Sequence, residues 1–420
     1  MADMRPKLNV MLPAVGIAAV FLGACTAPPP TDPPLTTVPP TTPAVPAPAC
    51  PAVAPSPAGP GSENPISSWG VDGTAHASVV IGDVVYVGGD FSNGVAPAGA
   101  KTARNNLAAF CLANGQLLSS FVADVNAQVW ALTSDGASLF VGGDFTALNG
   151  RTLAKPRLVK LNATTGAQIT GFDPPTIPNV VYALDYSGGK VYAGGDFSAV
   201  DQAGRTIGKK GVSVDHDTGA FAGWNPDADA RIQALKVSPD GQWVFIGGTF
   251  ETVGGLAHND LARTSAGSGA VSAVSFGDNQ NVSGRVNGHV FSIAVDSDSV
   301  SAYASTGPSR PKGSNGGNKL ISYASDGREN WRLTFNGDNQ AVVLIGNTLY
   351  TGFHGGFQNN TNLRLLGFNK SSHAMTSFSP NSNGVLGVRG LAISGNGLVA
   401  VGDFSAMGST TKLHGVAIFN

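Results

Sequence analysis

Few residues in this 420-residue chain combine the type and the spacing needed for chemistry. Five polar side chains, Gln128, Arg231, His289, Gln340 and Arg389, stand at the opening of short apolar runs. If those runs converge on one channel mouth, two guanidiniums and an imidazole would face a shared space suited to a small anion. The alternative is a polar lining that holds ordered water. His258, His289, His354 and His414 are far apart in the chain. They would serve as metal ligands or general bases only if the fold gathered them. No His-Glu-x-x-His, Gly-x-Ser-x-Gly or Gly-x-x-x-x-Gly-Lys signature is present. Asp296-Ser297-Asp298 lacks the later ligands of a calcium loop. Asp215-His216-Asp217 falls in a tight turn, where solvation is expected. The reading is therefore of no catalytic residue, no metal and no cofactor.

The elements that would position these residues are written in a repeat. Trp69, Phe121, Phe172, Trp224, Phe276, Phe335 and Phe378 recur at intervals of 52, 51, 52, 52, 59 and 43 residues. A second landmark lies inside the units: Val87-Gly88-Gly89-Asp90-Phe91, Val141-Gly142-Gly143-Asp144-Phe145, Ala193-Gly194-Gly195-Asp196-Phe197 and Ile246-Gly247-Gly248-Thr249-Phe250. The last unit carries Val401-Gly402-Asp403-Phe404, and units five and six are degenerate, with Ser305-Thr306-Gly307 and Tyr350-Thr351-Gly352. Each unit reads as four short strands separated by turn residues such as Ser187-Gly188-Gly189 and Asp217-Thr218-Gly219. Four strands per unit of about 50 residues predict an all-β, seven-bladed β-propeller over residues 66–420. The run Gly415–Phe419 aligns with third strands, and Ile66-Ser67-Ser68-Trp69 aligns with fourth strands. The N-terminal strand is thus expected to complete the last blade and to leave no open edge.

The pattern of an apolar residue, Gly-Gly-Asp-Phe, a long loop, Asn-x-Leu, then Gly and an aromatic resembles the delta-sixty-type propeller repeat of bacterial secreted proteins. It is similar to kelch as well, whose blades pair a double glycine after the second strand with a late aromatic. Neither resemblance implies a single activity: kelch-like propellers are mostly binding modules, with some enzymes among them. Gly-Gly-Asp-Phe superficially resembles a cyclase signature. It lacks that signature's acid before the Phe and repeatedly ends a strand, so its Asp is expected to bind backbone amides in a turn.

The N-terminus reads as an address. Arg5 and Lys7 precede an uncharged run from Leu8 to Ala24, which ends in Leu22-Gly23-Ala24-Cys25. That ending resembles the bacterial lipobox, which implies cleavage before Cys25 and lipidation of its thiol. Residues 1–24 are then a signal peptide, and a transmembrane anchor is disfavoured because the run is short for a ~30 Å hydrocarbon core. Residues 25–65 read as a lipidated Cys and a disordered linker. Residues 26–65 hold 15 of the 27 prolines and six threonines, but no Lys or Arg. Cys50 and Cys111 remain in an exported chain, where an even pair suggests a disulfide. Cys111 lies in an apolar strand, so a buried free thiol is the competing reading.

Composition narrows the function. Net charge is −2, which excludes a globally basic nucleic-acid binder. Charged residues are only 12 %, and 56 glycines argue against a helical protein. The long loops of one face hold 14 of the 25 Lys and Arg. They form either an acceptor for acidic polymer or a set of ion pairs with Asp72, Asp124, Asp173, Asp227, Asp278 and Asp338, which recur after the unit aromatics. The expected protein is a monomeric, non-catalytic lipoprotein propeller on the outer face of a bacterial membrane, or the outer membrane of a diderm cell. Its partner is a protein or cell-wall glycan. The alternatives are a propeller lyase or hydrolase with His and Arg at the channel mouth, and a passive structural module.

Overall fold

The computed structural model describes residues 50–52, 59–276, 289–307, 318–395 and 397–419. Cys25, the leader, most of the proline-rich segment and Asp278 lie outside them. The described residues are all-β and contain no helix. Among the described residues the seven largest of eleven antiparallel sheets follow one another along the chain, beginning with strands Thr74–Ile81, Val129–Ser134, Val181–Ser187, Ile232–Val237, Val290–Val295, Asn339–Ile345 and Val388–Ser394. In each of these seven the first strand pairs with the second and the second with the third. First strands of consecutive sheets pack side by side, and Val388–Ser394 packs against Thr74–Ile81.

The sheets are buried on both faces, which removes the usual alternation of apolar and polar residues. In strand Val84–Asp90, Val85 and Val87 pack in one core cluster with Val399 and Val401 of the seventh sheet. Tyr86, on the opposite face, packs with Val141 and Val159 of the second sheet. The unit aromatics fill the same inter-sheet layers: Phe121 meets Tyr86 edge to face at 5.1 Å, and Trp224 meets Tyr192 likewise at 5.6 Å.

The first glycine of each double glycine marks where adjacent sheets approach most closely. A Cβ on Gly88 would overlap the side chain of Val129 at the head of the next first strand, and one on Gly247 would overlap Val290. The sixth sheet keeps Gly352 against Val388, whereas the fifth and seventh keep the fit by exchanging sizes. In the fifth sheet Ser305 takes the glycine's place and its hydroxyl donates to Asn339 Oδ1 at 2.8 Å, where other sheets present Val or Ile. In the seventh sheet Val401 takes that place, and the facing residue of the first sheet is the small Ala75.

Fourth strands are shorter than the sequence implies. Among the described residues only the fifth sheet has a full fourth strand, Glu329–Thr334. In sheets one to four and six the fourth segment makes a single bridge, such as Phe110 with Leu117 or Phe368 with Met375. The chain then turns inward to bury its aromatic, as where Phe121 N donates to Leu118 O at 3.3 Å.

Residues 66–71 join the two ends of the series. Ile66 N donates to Ile418 O at 2.9 Å, and Ser68 Oγ donates to Val416 O at 3.2 Å. Gly70–Val71 then pairs with Asn93–Val95 of the first unit. Residues 63–65 also contact the last two sheets. Ser379 N donates to Glu63 Oε1 at 2.6 Å, Ser409 N to Asn64 Oδ1 at 2.7 Å and Thr410 Oγ1 to Pro65 O at 2.7 Å. These acceptors satisfy donors of the last two sheets. Cys50 is joined to Cys111 by a disulfide, with Cα atoms 5.3 Å apart.

Candidate functional site

Every first strand carries a β-bulge near its start, at the second residue in six of them and at the third in Thr74–Ile81. The register shifts between Ala75 and Ala77, Val129 and Ala131, Val181 and Ala183, Ile232 and Ala234, Val290 and Ser292, Asn339 and Ala341, and Val388 and Gly390. A bulged residue leaves the ladder and its side chain is re-aimed. The residues so released are His76, Trp130, Tyr182, Gln233, Phe291, Gln340 and Arg389. All seven line one cavity of about 360 Å³, together with Arg231 and Asp338 from the position just before two of the strands. A second void of about 180 Å³ continues along the channel past small and aliphatic residues such as Ala77, Ala131 and Ala234.

The lining is divided by chemistry. His76 stacks on Trp130 at 4.4 Å with an interplanar angle of 18°, and Trp130 meets Tyr182 edge-on at 5.6 Å. The Arg231 guanidinium lies over the Tyr182 ring, 5.9 Å from its centre. Gln340, Asp338 and Arg389 lie on neighbouring sheets next to this arc. Arg389 Nε donates to His76 Nδ1 at 3.0 Å, which fixes the tautomer with its proton on Nε2. Gln233 Oε1 and Gln340 Oε1 are buried and have no donor among the described residues. The Gln340 amide nitrogen lies 3.4 Å from His354 Nδ1, and that nitrogen is 3.9 Å from Asp338 Oδ2.

The electrostatics follow burial. Burial pushes the His76 imidazole down to about 4, helped by the adjacent Arg389 and opposed by Asp90. Burial raises the Asp338 carboxyl, against the pull of His354 and Arg389. Burial lowers Arg389 too, and Asp403 and Asp338 oppose it. His76 is therefore neutral at pH 7. Its folded-state value lies below the unfolded 6.5, so its contribution to stability is present above pH 6.5 and is lost as pH falls toward 4. Replacing His76 with Gln should flatten the fall in unfolding free energy between those limits by on the order of 2 kcal/mol. Urea titrations at pH 7 and pH 4 check this, and parallel slopes for both proteins would contradict it.

The sequence reading placed some of these residues and not others. Arg231, Gln340 and Arg389 line the cavity. Gln128 and His289 stand outside that lining: Gln128 Nε2 donates to Asp90 Oδ2 at 3.0 Å, and His289 meets the Phe291 ring edge-on at 6.1 Å. The choice of residues mixed two registers. Gln128, Arg231 and His289 precede the strand head, whereas Gln340 and Arg389 occupy the bulge. Alignment on the strand heads would have recovered His76, Trp130, Tyr182, Gln233 and Phe291 by their common position.

Other charged groups settle into structural roles. Of the loop-face cations, Lys101 pairs with Asp72 at 3.1 Å, Arg205 with Asp201 at 2.7 Å, Lys209 with Asp227 at 3.0 Å and Lys210 with Asp196 at 2.6 Å. Arg157 pairs with Asp144. Burial opposes ionisation of Asp72, but hydrogen bonds from Asn93, Ser92 and Lys101 hold its carboxyl far below the usual range. Asp124 instead accepts the amide of Asn105 at 2.7 Å. The Gly-Gly-Asp-Phe aspartates divide: Asp403 accepts the amides of Val385, Leu386 and Gly387, whereas Asp90, Asp144 and Asp196 accept from side chains. His216 is more than a solvated turn residue, because its Nδ1 lies 3.3 Å from the buried Asp135, which also faces buried Lys160 at 3.5 Å. The histidines 258, 289, 354 and 414 form no metal-ligand cluster with one another among the described residues.

No protein-family model and no curated protein sequence matches the chain. Solved structures do match in shape. The WD40 β-propeller domain of Doa1 superposes with a TM-score of 0.54 at 13 % identity, over 85 % of this chain and 96 % of that one. The computationally designed Ika8 protein superposes with a TM-score of 0.52 at 13 % identity, over 85 % and 99 % of the two chains. At such identity the likeness speaks of fold alone. The chain is a β-propeller repeat protein.

Proposed function

We propose that this protein is an exported lipoprotein whose propeller is a non-catalytic binding module for a partner in the bacterial envelope, a protein or a glycan. The propeller has seven kelch-like or delta-sixty-type blades, and residues 66–69 supply the missing fourth strand of the last. Cys25 carries the lipid, and the proline-rich segment holds the propeller away from the membrane surface. The observation that carries the binding reading is the axial cavity. It combines ring faces, two guanidiniums and two side-chain amides in one lining. The paired loop-face cations leave less free positive charge for an acidic polymer than their number suggests.

Binding to an array of envelope glycans and wall fragments tests this reading. Wild type should bind at least one class, and Trp130→Ala should abolish that binding while keeping the wild-type melting temperature. No binding, or binding indifferent to Trp130, would refute it. Radiolabelled palmitate should enter wild type and not Cys25→Ser, and equal labelling would end the lipoprotein reading. One feature favours the enzymatic alternative: Asp338, raised by burial, lines the cavity and lies 3.9 Å from His354. Turnover of a bound glycan that Asp338→Asn removes would replace the binding module with a lyase or hydrolase.

A further inference from the structure

Resting on the reading of the axial cavity as a binding site, we infer that its ligand is a carboxylated sugar ring, a uronic acid residue of an acidic glycan. Each wall of the cavity selects for one part of that chemistry. The stacked His76–Trp130 pair and Tyr182 offer an apolar surface, which suits the C–H face of a pyranose. The side chains of Gln233 and Gln340 also line the cavity, and amides pair with sugar hydroxyls. Inorganic phosphate or a simple carboxylate would leave the ring faces uncovered.

Charge sets the acidic part. Arg231 and Arg389 bring two positive charges to the lining and Asp338 at most one negative, while His76 is neutral at pH 7. Asp90 and Asp403 also act on His76 and Arg389 from beside the lining, so the acid is recognised by direct pairing with a guanidinium rather than by net charge. Arg389 gives Nε to His76, and that bond orients a planar group with four further N–H donors. A neutral hexose would meet the rings and the amides and would bring no carboxylate to either guanidinium. An ammonium-bearing sugar would meet two guanidiniums.

The cavity volume of about 360 Å³ lies near the lower end of ligand sites, ~300 Å³, which limits the occupant to roughly one or two rings. Six of the bulge residues line both this cavity and the narrower void beyond, so the sugar stops at their ring.

Calorimetric titration of the full-length chain with glucuronic acid, glucose and acetate at pH 7 tests the inference. Glucuronic acid should bind at least ~10-fold more tightly than glucose, since a hydrogen bond to a charged group contributes ~1.5–3 kcal/mol. Acetate should not bind measurably. Arg389→Gln and Arg231→Gln should each bring glucuronic acid down to the level of glucose, and Gln340→Leu should weaken both sugars together. Arg231 is only partly buried, so its variant keeps the test open if Arg389→Gln fails to fold. Equal binding of glucuronic acid and glucose overturns the inference, as does uronate binding that survives both arginine changes. An envelope glycan retained on the array through Trp130, with no preference for uronate, refutes the acidic sugar alone. Loss of all Trp130-dependent binding refutes the parent reading with it.

Discussion

A chain that begins at Gly73 should aggregate on purification, whereas one that begins at Gly59 should remain monomeric and fold. The shorter chain lacks Ile66, Ser68, Trp69 and Val71, which bridge the last sheet and the first. Val71 is buried, and it packs in one cluster with Val416, Ile418 and Phe110, with Ile66 and Trp69 against its rim. At about 1.5–3 kcal/mol for each large apolar side chain, these three alone contribute roughly 5 kcal/mol, comparable with the whole stability of a marginal domain. Their backbone matters as well. Ile66 N, Val71 N and Trp69 N donate to Ile418, His414 and Gly115, so their loss bares part of the strand Val416–Phe419. An apolar strand with unpaired backbone groups is a template for pairing with another chain. Light scattering and thermal melting of the two chains decide the matter. A Gly73 chain that is monomeric and melts with the Gly59 chain would show that residues 59–72 do not hold the ends together.

The β-propeller class was legible because repeat spacing is a one-dimensional signal. Aromatics such as Phe121 and Trp224 recur because each unit must fill the same inter-sheet layer, and the glycines recur because Gly88 or Gly247 must admit a neighbouring Val. The degenerate units obscured this, since Ser305 with Asn339 and Val401 with Ala75 preserve a pairwise fit while changing both residue types. The cavity was only partly legible. A strand's period-two pattern assigns each residue to a face of the sheet, but a bulge breaks that period and sends its residue to a third direction, along the channel axis. Nothing in the pattern therefore marks Trp130, Tyr182 and Phe291 off from core aromatics. Arg389 and Gln340 stood out because they are polar at the opening of apolar runs. The partners of Asp144 and Asp196 were not legible either, because Arg157 and Lys210 reach them across a loop rather than along a strand. The pairing of Cys50 with Cys111 depends on where the N-terminal segment runs, which no local pattern records.

That segment's course sets the second large effect. Cys50→Ala should lower the unfolding free energy by about 4 kcal/mol, because the disulfide closes a loop with a sequence separation of 61 and so restricts the unfolded chain. Strain at the crosslink would reduce the figure, and native disulfides generally contribute roughly 2–5 kcal/mol. Cys50 is the better site for substitution. It is only partly buried, whereas Cys111 lies fully packed in strand Leu107–Cys111, where any replacement disturbs the core as well. If the effect acts through the unfolded state, reduced wild type should match Cys50→Ala, and the denaturant slope should rise as the unfolded chain expands. The chain beginning at Gly59 separates the crosslink from the residues around it. It lacks Cys50 but keeps Glu63, Asn64 and Pro65 on the last two sheets. Equal losses for Cys50→Ala and the Gly59 chain would assign the stabilisation to the covalent bond. A much larger loss for the Gly59 chain would assign it to residues before Gly59 packing on the propeller. A loss below about 0.5 kcal/mol for Cys50→Ala would mean that the crosslink does not restrict the unfolded chain and would contradict the prediction.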